Sequence, residues 1–249
     1  MRSQGASGLR PEPAKSLRHW GRTAVLVVAA WLLILGLVVA LGWLITHPLE
    51  NSVRPPDNEL ARWFADQRTA MLDAVADVGT LLGETIVELI AAPILAIAVV
   101  VWTRSIVPGL FVGLVTAGVG GIYLVASTLD PRPRPPVTIL DPGLVPTHSF
   151  PSGHVGTATA LYGSIVVLTW TYARAARWWV TPLVALPVLV MLARLYQGAH
   201  HLTDVLTSLV FAVAWIATLT ALLLRGSRTG HSVVADDSVG PGVMSTAEH

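Results

Sequence analysis

The chain has 249 residues, 53% of them apolar and only 12% charged, with a formal charge of +1 and a mean hydropathy of +0.63. A soluble domain carries about a quarter charged residues, so this composition excludes an ordinary soluble fold and points to the bilayer. The absence of cysteine excludes a disulfide framework, thiol chemistry and a Cys-ligated zinc site, and the near-zero net charge gives no reason to expect a nucleic-acid partner.

Residues 1–18 are polar and rich in Gly, Ser and Pro, the composition of a disordered tail. Thr23 to Thr46 is then uncharged and apolar, long enough to cross a hydrocarbon core of about 30 Å. It follows a basic segment as a signal peptide would, but it is too long for that, and no small-x-small cleavage site follows in WLITHPLE. Residues 57–77 differ: Leu60, Trp63, Phe64, Ala70, Met71 and Val75 recur at roughly helical spacing among charges. They predict an amphipathic helix, either lying on the membrane surface or solvated.

Five further apolar runs follow: about Thr80 to Thr103, Ser105 to Leu129, Val155 to Ala173, Trp178 to Ala193, and Val205 to Leu224. The predicted fold is therefore all-α, an integral membrane bundle of six transmembrane helices over residues 19–225 with a short amphipathic surface helix. Glu84 and Glu88 share one face near the start of the second run, where snorkelling or pairing with an arginine would accommodate them. The third run contains GVGG, which reads as a site of close helix packing. Between the third and fourth runs, DPRPRPPVTILDPGLVPTHSF has too much proline for a helix. Residues 226–249 are again polar and are expected to be disordered.

With an even number of spans both termini share a side. That side holds ten of the sixteen Lys and Arg residues, from Arg2 to Arg228; the other holds six, from Arg54 to Arg194. The bias places the termini in the cytoplasm of a multi-pass protein of the cell membrane. Trp20, Trp102, Trp170, Trp178 and Trp179 fall at the cytoplasmic span ends, as an aromatic belt does.

Three polar clusters then fall together on the extracytoplasmic side: RPRP at 132–135, PSGH at 151–154 and RLYQGAHHLTD at 194–204. Arg134, or Arg132, and Arg194 supply guanidinium forks suited to phosphate oxygens. Pro151-Ser152-Gly153 opens a helix, whose free N–H groups and positive dipole end favour an anion. Ser152 is placed as a cap or phosphate donor, and Gly153 lets a ligand approach the backbone. His154 sits in the first turn. His200 and Asp204 are four residues apart on one helix face, where a carboxylate can set an imidazole tautomer. His201 has Val205 as its i+4 neighbour and reads as outer-surface polarity, and His148 as a solvated loop histidine.

These residues resemble the type-2 phosphatidic acid phosphatase superfamily, the lipid phosphate phosphatases. Its motifs are K-x6-R-P, P-S-G-H and S-R-x5-H-x3-D. The second stands intact at Pro151 to His154. The third stands as Ala193-Arg194-LYQGA-His200-HLT-Asp204, with Ala193 in the serine position. The first keeps Arg134-Pro135 but has Ser127 in place of the lysine. The resemblance covers roughly residues 55–225.

The resemblance implies a hydrolase that needs no cofactor and no metal. It implies that His200 attacks phosphorus, that Asp204 orients His200, and that His154 protonates the leaving oxygen and then activates water. Arg134, Arg194, Ser152 and the Gly153 N–H would hold the phosphoryl oxygens, with Arg132 replacing part of the missing lysine. The implied substrate is a lipid phosphate drawn from the bilayer: phosphatidic acid, phosphatidylglycerol phosphate, or a polyprenyl phosphate or diphosphate. A lipid phosphotransferase and a non-catalytic phospholipid-binding protein are the alternatives. Vanadate-dependent haloperoxidases share the motifs but are soluble.

Overall fold

A computed structural model describes residues 13–224. The residues on either side, which include most of both expected tails, lie outside the described residues; residues 13–18, expected in the first tail, begin the first helix. The described chain is helical, with a single isolated bridge pairing Arg132 with His148.

The helices are α1 (Pro13–Thr46), α2 (Glu50–Asp66), α3 (Ala70–Leu81), α4 (Thr85–Thr103), α5 (Ile106–Leu129), α6 (Gly153–Tyr172), α7 (Arg177–Val180), α8 (Leu186–Tyr196) and α9 (Leu202–Leu219). Among the described residues, five stretches are long and apolar enough to cross a membrane: Trp20–Thr46, Thr85–Thr103, Ile106–Leu129, Arg174–Tyr196 and Leu202–Leu224. The remaining expected span corresponds to α6, which is not among them. Its polar side chains, including His154, Thr157, Thr159 and Ser164, dilute its hydropathy. Thr157, Thr159 and Ser164 are buried because α6 packs against α4, α5, α8 and α9. A helix walled by protein need not be as apolar as one facing lipid.

The centre of the bundle is α5, packed against α1, α4, α6 and α9. Its glycines allow this. A Cβ on Gly118 would lie 2.2 Å from the indole nitrogen of Trp215. That nitrogen instead donates to the carbonyl of Leu114 at 2.9 Å, while Trp31 donates to the carbonyl of Gly118 at 3.0 Å. The GVGG segment is thus a packing surface, as its composition suggests. By contrast α1 turns Leu32, Leu33 and Leu37 outward, as a lipid-facing helix would.

Three boundaries differ from the sequence reading. The amphipathic segment is two helices, because Thr69 caps a new one: its hydroxyl accepts from Leu72 N at 3.3 Å. The second span starts at Thr85, after a turn at Leu82–Glu84. The short fifth span is built from 3-10 turns and α7 before α8, with Pro182 and Pro187 each near the start of a new segment. All five belt tryptophans are exposed and lie on helix ends away from the polar clusters; Arg177 stacks on Trp178 at 4.9 Å.

Candidate active site

The α4, α6 and α9 starts, the α5 and α8 ends and the 130–150 loop meet at one end of the bundle, tied by a dense polar network. The α8–α9 turn is the first requirement. Gly198 has φ +70°, and a Cβ there would lie 2.6 Å from Val137 and 3.2 Å from the Thr138 carbonyl. Only glycine fits both the torsion and the space. This tight reversal carries Arg194 and His200 to the same place.

His200 is buried. Its Nδ1 lies 2.7 Å from the carbonyl oxygen of Ser149. A carbonyl only accepts, so Nδ1 carries the hydrogen and Nε2 is left with its lone pair. Burial first, then the positive charge of Arg194, with a smaller contribution from Arg134, hold the imidazole well below its ordinary pKa; Asp204 and the Ser149 bond oppose them. The ring is therefore neutral near pH 7.

Asp204 does not orient His200 by a direct hydrogen bond: the nearest approach to Nδ1 is 3.9 Å. Its oxygens are already taken. Oδ2 accepts from Ser149 Oγ at 2.6 Å and from the His201 backbone N–H at 2.8 Å, and Oδ1 accepts from Arg132. It thereby braces Ser149, whose carbonyl holds His200. His201 is buried rather than outward, between Asp204 (3.3 Å) and Asn58 (3.2 Å).

The two loop arginines part company. Arg132 is buried and spends both terminal nitrogens on protein: Nη2 on Asp57 at 2.9 Å, Nη1 on Thr203 at 2.6 Å and on Asp204. It locks α2 to α9, which corrects its assignment to phosphate and to the role of the missing lysine. Arg134 donates to the carbonyls of Val145 (2.9 Å), His148 (3.1 Å) and Ala199, the residue before His200. Burial, then the nearby charge of Arg194, lower its pKa. Two guanidiniums held within reach of each other form a field that an anion relieves. Ser127, in the lysine position, is buried and donates to the Leu124 carbonyl at 3.3 Å.

Arg194 is fully buried. Its Nη1 donates to Gln197 at 2.9 Å and Thr80 at 3.3 Å. Asp141 Oδ2 approaches Nη2 at 2.8 Å, without the alignment of a hydrogen bond, and Nε has no acceptor. Its charge reaches both His154 and His200.

Ser152 precedes α6 and does not cap it. Its hydroxyl is buried with no hydrogen-bond partner, while its N–H reaches the Asp204 carbonyl at 3.4 Å and so joins the α6 start to α9. Gly153 lies under Tyr123, whose ring would be 3.2 Å from a Cβ. His154 points Nε2 at Glu84 Oε1, 3.3 Å away. Glu84 thus pairs with a histidine rather than an arginine. Glu88, one turn further along α4, is buried near Thr116 and Thr157.

The sequence reading missed Asp57, Ser149, Asp141, Thr80 and Gln197. None has a local signature; each reaches the site from another element. His148 stays a loop residue whose carbonyl serves Arg134.

No curated protein matches this chain. Among solved structures, a transmembrane PAP2-type phosphatidylglycerolphosphate phosphatase from Bacillus subtilis has the same fold, with a TM-score of 0.62, 22% sequence identity, and coverage of 82% of this chain and 96% of that one. The sequence model of the PAP2 superfamily matches residues 106–227, the stretch that holds Arg134, the PSGH run, Arg194, His200 and Asp204.

Proposed function

We propose that this protein is an integral membrane lipid phosphatase that hydrolyses the phosphate ester or diphosphate of a lipid through a phosphohistidine. The observation that carries this is a set of unspent groups in one buried place. Ser152 Oγ and Arg194 Nε are buried donors without acceptors, beside a neutral imidazole whose Nε2 is free. Leaving buried donors unpaired costs about 1–3 kcal/mol each, and phosphoryl oxygens would satisfy them.

The steps follow from these positions. His200 Nε2 attacks phosphorus, forming the N–P bond as the bond from phosphorus to the leaving oxygen breaks. His154 gives that oxygen its proton. Arg194, Arg134, Ser152 and the Gly153 N–H hold the equatorial oxygens, where preorganised charge does most of the work of phosphoryl transfer. His154 then takes a proton from water, water attacks phosphorus, the N–P bond breaks, and phosphate leaves. Asp204 acts through Ser149. With Ser127 in the lysine position the site has one cation fewer, so turnover is expected to be slow.

The substrate's tail stays in the bilayer, and on six spans the charge bias of the loops supports cytoplasmic termini and an extracytoplasmic site. Inorganic phosphate release from phosphatidic acid and phosphatidylglycerol phosphate by purified protein tests the reading. Wild type should release phosphate and His200→Ala should not. Equal release by both overturns the role of His200. Phosphate appearing only on an added alcohol identifies a phosphotransferase, and binding without release a non-catalytic phospholipid-binding protein.

A further inference from the structure

Among the described residues, Glu84 is a carboxylate that touches a histidine of the proposed chemistry and forms no ion pair with an arginine, although the charge of Arg194 reaches it. It occupies the position before α4, yet it makes no side-chain cap there. Its Oε1 is instead 3.3 Å from His154 Nε2. The placement is built in. Gly83 has no room for a side chain: a Cβ would lie 2.8 Å from the His154 carbonyl oxygen and 2.6 Å from Val190. Tyr162 on α6 donates to the Leu82 carbonyl at 3.1 Å, pinning the same turn. The Glu84 side chain is 37% exposed and that of His154 15%, so the carboxylate is the more open to solvent of the two.

We infer that Glu84 is a specificity-determining residue: standing where the leaving group departs, its carboxylate favours a neutral, hydroxyl-bearing leaving group and disfavours a phosphate-bearing one, so the protein prefers lipid phosphomonoesters to lipid diphosphates. This rests on the phosphatase reading above. In that reaction His154 Nε2 supplies the proton of the leaving oxygen, so the leaving group must come to the atom that Glu84 faces. When a monoester reacts, the P–O bond to carbon-bound oxygen breaks, the electron pair goes to that oxygen, and the proton of His154 completes a neutral alcohol. A hydroxyl beside it can donate to Glu84. When a diphosphate reacts, the bridging P–O bond breaks and the leaving oxygen belongs to a lipid phosphate. That brings an anion against a partly desolvated carboxylate, and like-charge juxtaposition of this kind costs several kcal/mol. Arg194, whose charge reaches Glu84, relieves it only in part, because Arg194 also faces Asp141 and, in this mechanism, the phosphoryl group that is transferred.

The test uses two substrates with the same tail, dioleoylglycerol phosphate and dioleoylglycerol diphosphate, and the purified full-length protein in detergent. Initial rates of inorganic phosphate release give kcat/KM for each. Wild type should favour the monophosphate by about tenfold or more, the ratio that 1.4 kcal/mol produces. Glu84→Gln should bring the ratio towards one, and Glu84→Lys should invert it. Because the ratio is taken within one preparation, a partly unfolded variant does not change it. An unaltered ratio in both variants, or a wild-type preference for the diphosphate, overturns the inference while leaving the phosphatase reading intact. No phosphate from either lipid with wild type overturns both.

Discussion

His200 Nδ1 and the backbone carbonyl of Ser149 are 2.7 Å apart, and this bond, not a carboxylate, selects the tautomer of the proposed nucleophile. Ser149 is in turn held by Asp204, which accepts from its hydroxyl at 2.6 Å. The tautomer therefore depends on a backbone atom that no side-chain substitution at 149 removes. Ser149→Ala should keep His200 oriented but loosen the loop, lowering kcat about tenfold, well short of the 10²–10⁴ that general acid–base groups contribute. Steady-state rates of Ser149→Ala and His200→Ala, compared on one lipid phosphate, check this. A Ser149→Ala loss as deep as that of His200→Ala would show that the hydroxyl matters more than the carbonyl.

The pH dependence has a definite sign. Attack needs neutral His200, and burial with Arg194 and Arg134 nearby depresses its pKa. The neutral nucleophile is thus fully present above the ordinary imidazole value, near 6.5, and is lost as pH falls through the depressed one, while the need for a protonated His154 sets a separate alkaline limb. The acid limb of kcat/KM should lie below 6.5. Replacing Arg134 with Gln removes one depressing charge and should shift that limb to higher pH. A wild-type acid limb above pH 7 would contradict the electrostatics.

Arg132 and Arg134 are separated by one proline, yet one is a structural ion-pair partner and the other donates only to carbonyls, one of them that of Ala199 beside His200. Arg132→Met leaves Asp57 and Asp204 buried without their cation. Breaking a buried pair from one side costs about 3–5 kcal/mol, so thermal unfolding should shift strongly downward. Arg134→Gln leaves only carbonyls behind and should affect activity more than stability. Melting curves of the two variants, measured beside their rates, separate these roles.

That pair of arginines also marks where sequence reading stops. Hydropathy placed five of the spans, because lipid-facing helices must be apolar whatever else they do. Spacing brought His154, Arg194, His200 and Asp204 to one end of the bundle, since helix ends and short turns leave little choice. The direction of each arginine depends on backbone torsions in an irregular, proline-rich loop, and no periodicity encodes those. The partners of Asp57 and Glu84 were equally hidden, 75 and 70 residues away. The polarity of α6, which sets it apart from the other spans, becomes intelligible only once its neighbours on every side are known. The break at Thr69 was legible in principle, as a threonine three residues before a new apolar turn, but the longer amphipathic pattern masked it.

Ser152 offers a sharper separation of function from stability. Its hydroxyl is buried and bonds to nothing in the free protein, so Ser152→Ala removes no native hydrogen bond and should leave the melting temperature unchanged or slightly raised. If the hydroxyl donates to the phosphoryl group in the transition state, the same change should lower kcat about 10²–10³-fold, as loss of one preorganised donor does. Vanadate, which adopts the five-coordinate geometry of the reacting phosphorus, tests the point without turnover. It should inhibit wild type and raise its melting temperature with concentration, the stabilisation being about 2.7 kcal/mol at a hundredfold excess over Kd. In Ser152→Ala both effects should weaken together, because one donor serves both. Wild-type activity that persists in excess vanadate would mean that the pocket does not hold a trigonal bipyramid, and the phosphohistidine route would fail with it.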